Sequence, residues 1–175
     1  MQESNSENFN HLKIHSQFSI CEGAIKIDDL KDISKHKKLK ALGLCDTSNL
    51  CGALEFAEKL SKSGSQPIIG TQINFKFNDT TGLIPLFALN ENGYKTIIKL
   101  SSLSFLKNDE LSDPHLDLNE LLNNNEGVAI FSGTINGLFG QLFNKGKFSE
   151  ISEIFSKLKS NYGDRFYIEI QRHGD

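Results

Sequence analysis

Short apolar runs alternating with stretches of helical period constrain the fold of this chain more than any other feature. Residues 41–45 and 128–131 are apolar runs too short for helices, and they read as buried strands. Helical spacing appears at Leu30 and Ile33 in residues 28–40, and at Phe56, Ala57 and Leu60 in residues 53–63, where Gly64 supplies a stop. It recurs at Tyr94, Ile97 and Ile98 in residues 93–103. It is clearest at Ile151, Ile154, Phe155 and Leu158 in residues 148–161, ahead of Gly163. Residues 11–15, 67–70, 73–77, 83–89 and 166–170 have strand character, and residues 118–122 and 138–143 read as short helices. Residues 78–82 form a turn cluster and residues 107–117 a polar surface loop. Strand, helix, strand in this rhythm predicts a parallel sheet with helices outside, as an open sheet or a barrel. A chain of 175 residues with 38% hydrophobic content can bury the core of one domain.

Charge and cysteine content narrow the function. A net charge of -3 argues against an autonomous nucleic-acid binder. The basic run Lys35, His36, Lys37, Lys38, Lys40 reads as the solvated face of a helix. Cys21, Cys45 and Cys51 are an odd count whose spacing matches no zinc pattern, and they read as reduced thiols of a cytoplasmic protein. Residues 1–10 are polar and acidic, unlike a signal peptide, and no apolar run approaches the roughly 20 residues of a membrane span.

Polar residues collect where predicted strands end. His15 and Ser16 follow the first, Asp46 to Asn49 the second, Thr71 and Gln72 the third, and Ser132 to Asn136 a later one. In α/β folds the loops at carboxyl ends of strands converge on one face and carry the chemistry. Metal-ligand candidates by residue type are His11, His15, Glu22, Asp46 and His173. His11 and His15 would share one face of a strand. Five histidines in all, at 11, 15, 36, 115 and 173, are too few for the dense His and carboxylate cluster that several adjacent cations need. Ser132-Gly133-Thr134 lacks the glycine pattern of a nucleophile elbow, and Gly137 and Gly140 stand apart from any phosphate-binding Lys-Ser/Thr pair. Cys45 reads as a small apolar residue ending a buried strand. The phenylalanines follow the core pattern and make no stacking platform for single strands.

Several segments together suggest a family. His11-Leu12-Lys13-Ile14-His15-Ser16, with Cys21-Glu22-Gly23 after it, resembles the opening motif of the polymerase and histidinol phosphatase (PHP) domains of bacterial DNA polymerase III α subunits. Asp46-Thr47-Ser48-Asn49 with the helix after it resembles their second motif. Pro67 to Gly70, Asn92-Gly93-Tyr94, Glu126-Gly127, Ser132-Gly133 and Phe166 to Gly174 follow in the family's order over residues 9–174. The resemblance implies an α/β fold, an incomplete distorted (β/α)7 PHP barrel. Residues 1–9 would be a polar N-terminal extension and residues 10–175 the domain, with its last units and the polymerase domains beyond Asp175.

The resemblance also implies a degenerate metal site. The family's ligand positions fall on Lys13, His15, Glu22, Thr47, Gln72, Leu83 and Thr134, of which only His15 and Glu22 keep ligand chemistry. A lysine ammonium repels a metal cation by several kcal/mol at contact range, on the order of 4 kcal/mol for unit charges in an effective dielectric of about 20. The expectation is therefore no metal or other cofactor in this segment, with Mg2+ serving the parent polymerase. The expected role is a non-catalytic structural and docking module of a chain that performs template-directed DNA synthesis. Its partners would be the remainder of the α chain and the proofreading exonuclease subunit, with DNA reached through the parent rather than this segment. The alternatives are a metal-dependent PHP phosphoesterase or 3'-5' exonuclease, and an unrelated α/β domain binding a small molecule at its strand ends.

Overall fold

The computed structural model describes residues 9–109 and 112–171. The chain divides into two compact units, Met1–Thr71 and Gln72–Asp175. Six strands and six α-helices are found among the described residues, a mixed α/β architecture. No helix among them is long and apolar enough to cross a membrane.

In the first unit an irregular segment leads into α1 (Ile27–His36), β1 (Ala41–Thr47), α2 (Ala53–Ser63) and the opening residues of β2 (Gln66–Phe77). Asp28 and Asp29 occupy the first turn of α1, where carboxylates oppose the positive helix end, and Asp29 accepts from the Lys26 amide. Gly64 ends α2 with a φ of 86°, a left-handed turn that glycine makes without strain. Ile27, Leu30, Leu42, Leu44, Phe56 and Leu60 form the core, with Ile14, Phe18, Ile25, Leu39 and Ile69 packed against it. Burying each of these large side chains contributes about 1.5–3 kcal/mol.

The segment 11–15 is not the regular strand its sequence suggests. It lies against β1, with the Gly43 amide donating to the His11 carbonyl at 2.7 Å and the Cys45 amide to the Ile14 carbonyl at 2.8 Å. The approach is close because residue 43 has no side chain: a Cβ there would sit 2.1 Å from the Leu12 carbonyl oxygen. The chain then turns at Ser16 and bridges back to Ile25, so no ladder extends.

The second unit holds the rest of β2, then β3 (Thr80–Ala88), α3 (Glu91–Leu106), β4 (Leu116–Asp117), α4 (Leu118–Asn123), β5 (Val128–Phe131), α5 (Leu138–Asn144), α6 (Phe148–Tyr162) and β6 (Phe166–Tyr167). Its strand order is β2-β3-β5-β6, with β4 also on β2. β5 runs antiparallel to β3, pairing Leu86 with Ile130, whereas β4 is parallel to β2 and β6 is parallel to β5. The parallel sheet expected from the element rhythm is in part present, in the β2–β4 and β5–β6 pairs, but β3 makes the sheet a mixed one. The cause is the two-residue connection Asn78-Asp79 between β2 and β3, with Asn78 at a φ of 54°. A tight hairpin turn reverses the chain, while a parallel neighbour needs a crossover of about a dozen residues or more.

β2 is one strand rather than two, so Thr71 and Gln72 are buried inside it instead of rimming a strand end. β6 covers only Phe166 and Tyr167, and Ile168 and Ile170 are exposed. Helical period also overstated burial: Ile33, Ile98 and Phe155 are exposed beside the buried Leu30, Ile97 and Ile154. In α3 the Asn90 side chain accepts from the Gly93 amide at 2.9 Å and caps the helix. A Cβ on Gly93 would lie 1.9 Å from the Gly127 carbonyl oxygen, so the helix start is pressed on the turn before β5. Tyr162 donates to the Leu121 carbonyl at 2.9 Å, and burial pushes its phenol above the usual tyrosine range.

Candidate functional site

The polar residues of the first unit converge on one side chain. Asp46 lies near the end of β1, which is buried along almost its whole length, and the residue is only 1% exposed. A carboxylate taken from water in this way must be matched by donors. Its Oδ1 accepts from the Ser16 amide and from Ser19 Oγ, both at 2.6 Å, and its Oδ2 accepts from Ser16 Oγ at 2.7 Å. The Asp46 carbonyl accepts from Thr71 Oγ1 at 2.6 Å.

The turn that delivers these donors is itself fixed. The Ser19 amide donates to the Ser16 carbonyl at 2.9 Å, and the Phe18 amide to Ser16 Oγ at 3.2 Å. Ser19 Oγ in turn accepts from the Thr47 amide at 3.1 Å. Asn49 joins the two loops, donating to the Phe18 carbonyl at 3.0 Å and the Thr47 carbonyl at 2.9 Å. Thr47 Oγ1 donates to the Glu22 carboxylate. Two of the ligand positions named from the sequence, Glu22 and Thr47, are therefore bonded to each other.

Of the remaining positions, Lys13 is half-buried on the segment beside β1. His15 is half-buried too, and its Nδ1 is sheltered from solvent with no hydrogen-bond partner among the described residues. In the second unit Gln72 is buried in β2. Leu83 bridges Gly137, so the loop carrying Thr134 is drawn onto β3, and the Thr134 carbonyl accepts from the Gly137 amide at 2.9 Å. His11 is exposed and stands edge-on to Phe9, with ring centroids 4.9 Å apart, whereas His15 is half-buried. Cys45 is buried, in keeping with a core role. His173 lies outside the described residues.

Sequence reasoning named Asp46 as a ligand candidate but passed over Ser19, its partner. The signal in the sequence went only as far as the need: an aspartate at the end of a buried apolar run must find donors, but Ser19 lies 27 residues away and nothing local singles it out. Among the described residues no group of three or more His, Cys, Asp or Glu is positioned to hold a metal ion.

Residues 11–173 match the PHP domain family. The chain belongs to that family. Curated relatives agree with this PHP assignment. The chain is 35% identical over 187 positions to DNA polymerase III subunit alpha of Caulobacter vibrioides, covering 99% of this chain and 16% of that protein. It is 38% identical over 167 positions to the Rickettsia felis protein of the same name, covering 94% of this chain and 14% of the relative. With the Borreliella burgdorferi protein, also so named, identity is 34% over 177 positions, covering 95% and 15%. This PHP chain thus spans about one-sixth of the length of these relatives, or slightly less.

Proposed function

We propose that this chain is the PHP module of a DNA polymerase III α subunit and serves it as a non-catalytic structural and docking element. The relatives' shared name supports the parent's activity, template-directed DNA synthesis, with Mg2+ and the nucleotidyl-transfer carboxylates supplied by other parts of that chain. On this reading the module's partners are the remainder of the α chain and the proofreading exonuclease subunit.

One observation carries the loss of catalysis. The buried Asp46 carboxylate accepts three hydrogen bonds, from the Ser16 amide and the Ser16 and Ser19 hydroxyls. A cation bound there would have to displace charge-assisted hydrogen bonds worth about 1.5–3 kcal/mol each. Glu22 is likewise held by Thr47, and Lys13 brings a positive charge to a ligand position. These residues do not fit a metal cluster. On this reading hydroxyl and amide donors stabilise the buried carboxylate by hydrogen bonding where a metal-binding relative would use a cation.

The second reading, a metal-dependent PHP phosphoesterase or 3'-5' exonuclease, draws support from His15, whose sheltered Nδ1 has no hydrogen-bond partner among the described residues. Elemental analysis after dialysis against Zn2+, Mn2+ and Mg2+, with a phosphodiester hydrolysis assay in parallel, separates the two. The structural reading expects less than one equivalent of metal and no metal-dependent hydrolysis. Two or more tightly held ions per chain would overturn it.

A further inference from the structure

We infer that the edge formed by the C-terminal ends of α1 and α2 is a contact surface for the phosphate backbone of duplex DNA. Lys35, Lys37, Lys38 and Lys40 are all exposed there, together with His36. Among the described residues no carboxylate lies within 4.0 Å of any of these four lysines, whereas Lys31, Lys59, Lys95, Lys107, Lys147 and Lys157 each pair with one. The patch is acid-free by sequence: residues 33–45 and 59–71 contain no Asp or Glu. Lys62 on α2 is not one of these unpaired lysines, since it pairs with Glu58 at 3.8 Å.

Two further features separate this edge from an ordinary solvated helix end. It is rigid: Ser34 and Ser65 are hydrogen-bonded in the interior, Ser65 Oγ donates to the Leu39 carbonyl at 2.6 Å, and the Gln66 amide donates to the Lys40 carbonyl at 2.9 Å. The lysines are also superfluous for capping. The last carbonyls of α1, on Ile33, Ser34 and Lys35, already accept from the amides of Lys37, Leu39 and Lys38. Lys38 has a φ of 51°, a left-handed position where glycine would fit at lower cost, so a cation stands where the backbone favours a bare residue.

Several unpaired cations held on a rigid, acid-free edge match a regularly spaced polyanion, and the parent proposed above works on DNA. The inference goes beyond that proposal and departs from the expectation that DNA is reached only through the rest of the parent. The contact is auxiliary, since the chain as a whole carries a charge of -3. Neutralising about four phosphates gives a salt slope near -3.6, and so a loss of about 10²-fold in affinity between 50 and 200 mM salt.

The test is fluorescence anisotropy of the 175-residue chain with a labelled duplex in EDTA, which makes the result independent of the metal question. Replacing Lys35, Lys37, Lys38 and Lys40 with Gln is expected to weaken binding at least about tenfold at low salt and to flatten the salt slope toward zero. Replacing the same four with Arg should keep the affinity within about threefold, as should Gln at Lys95, Lys99, Lys145 and Lys157. The inference is overturned if the wild-type chain does not bind duplex, if both Gln variants lose affinity equally, or if the Arg variant loses it. It is also overturned if poly-glutamate of matched charge competes as well as duplex does, which would make the surface one for acidic protein. None of these results bears on the metal content that tests the structural reading.

Discussion

Removing the Ser19 hydroxyl tests the network around Asp46 most directly. Ser19→Ala deletes the 2.6 Å hydrogen bond to the buried Asp46 carboxylate and the 3.1 Å bond from the Thr47 amide to Ser19 Oγ. Losing a hydrogen bond to a charged group costs about 1.5–3 kcal/mol, and losing the ordinary bond from the Thr47 amide about 1 kcal/mol more. The expected loss is about 3 kcal/mol, which at a urea slope of about 2 kcal/mol/M lowers the midpoint by about 1.5 M. Tyrosine fluorescence would miss the event, because Tyr94, Tyr162 and Tyr167 all belong to the second unit. Far-UV circular dichroism and the reactivity of the Cys45 thiol report on the first: Cys21 and Cys51 are exposed and react at once, whereas Cys45 is buried and reacts only on opening. Ser16 and Ser19 share one carboxylate, so the double alanine variant should show a coupling of at least about 0.5 kcal/mol in a mutant cycle. A midpoint within about 0.25 M of wild type for Ser19→Ala would refute the argument that these hydroxyls sustain the buried charge.

Gly43→Ala would place a methyl group 2.1 Å from the Leu12 carbonyl oxygen, and the forced backbone movement should cost at least about 3 kcal/mol, measured by urea unfolding. Lys38→Gly should do the reverse, stabilising by about 0.5–1 kcal/mol as the left-handed strain is relieved, while weakening duplex binding. Tyr162→Phe leaves the Leu121 carbonyl without its donor and should cost about 1–1.5 kcal/mol. The hydrogen bond from Lys147 holds Asp79 below its ordinary 3.8, so this pair's contribution is full above that pH and fades as acid titrates the carboxylate in the fold. Lys147→Gln should return the Asp79 value toward 3.8 in an NMR titration; no movement would show that the ion pair does not form in solution.

Periodicity alone located most of the elements. Residues 128–131 coincide with β5, and residues 148–161 differ from α6 by one residue at the end, because short apolar runs and helical stripes are local properties. The ordered motifs likewise placed the chain with PHP domains, and the family match covers residues 11–173. Asp46 was legible as a candidate by residue type, as a carboxylate among the polar residues that follow the apolar run 41–45.

Sequence could not settle which polar groups meet. Ser16 and Ser19 lie 30 and 27 residues from Asp46, and only the folding of the 16–19 turn onto β1 makes them its donors. The direction of β3 depended on two residues, Asn78 and Asp79, and not on the strand pattern, which is the same for either hand of pairing. The segment at 11–15 alternates like a strand, yet its pairing is limited by the approach to Gly43 and by the turn that follows. Residue order thus determined which segments bury apolar surface, since that depends on nearest neighbours along the chain. Tertiary structure determined what each buried polar atom bonds to, since an unpaired donor or acceptor must be satisfied by whatever the fold brings within about 3 Å.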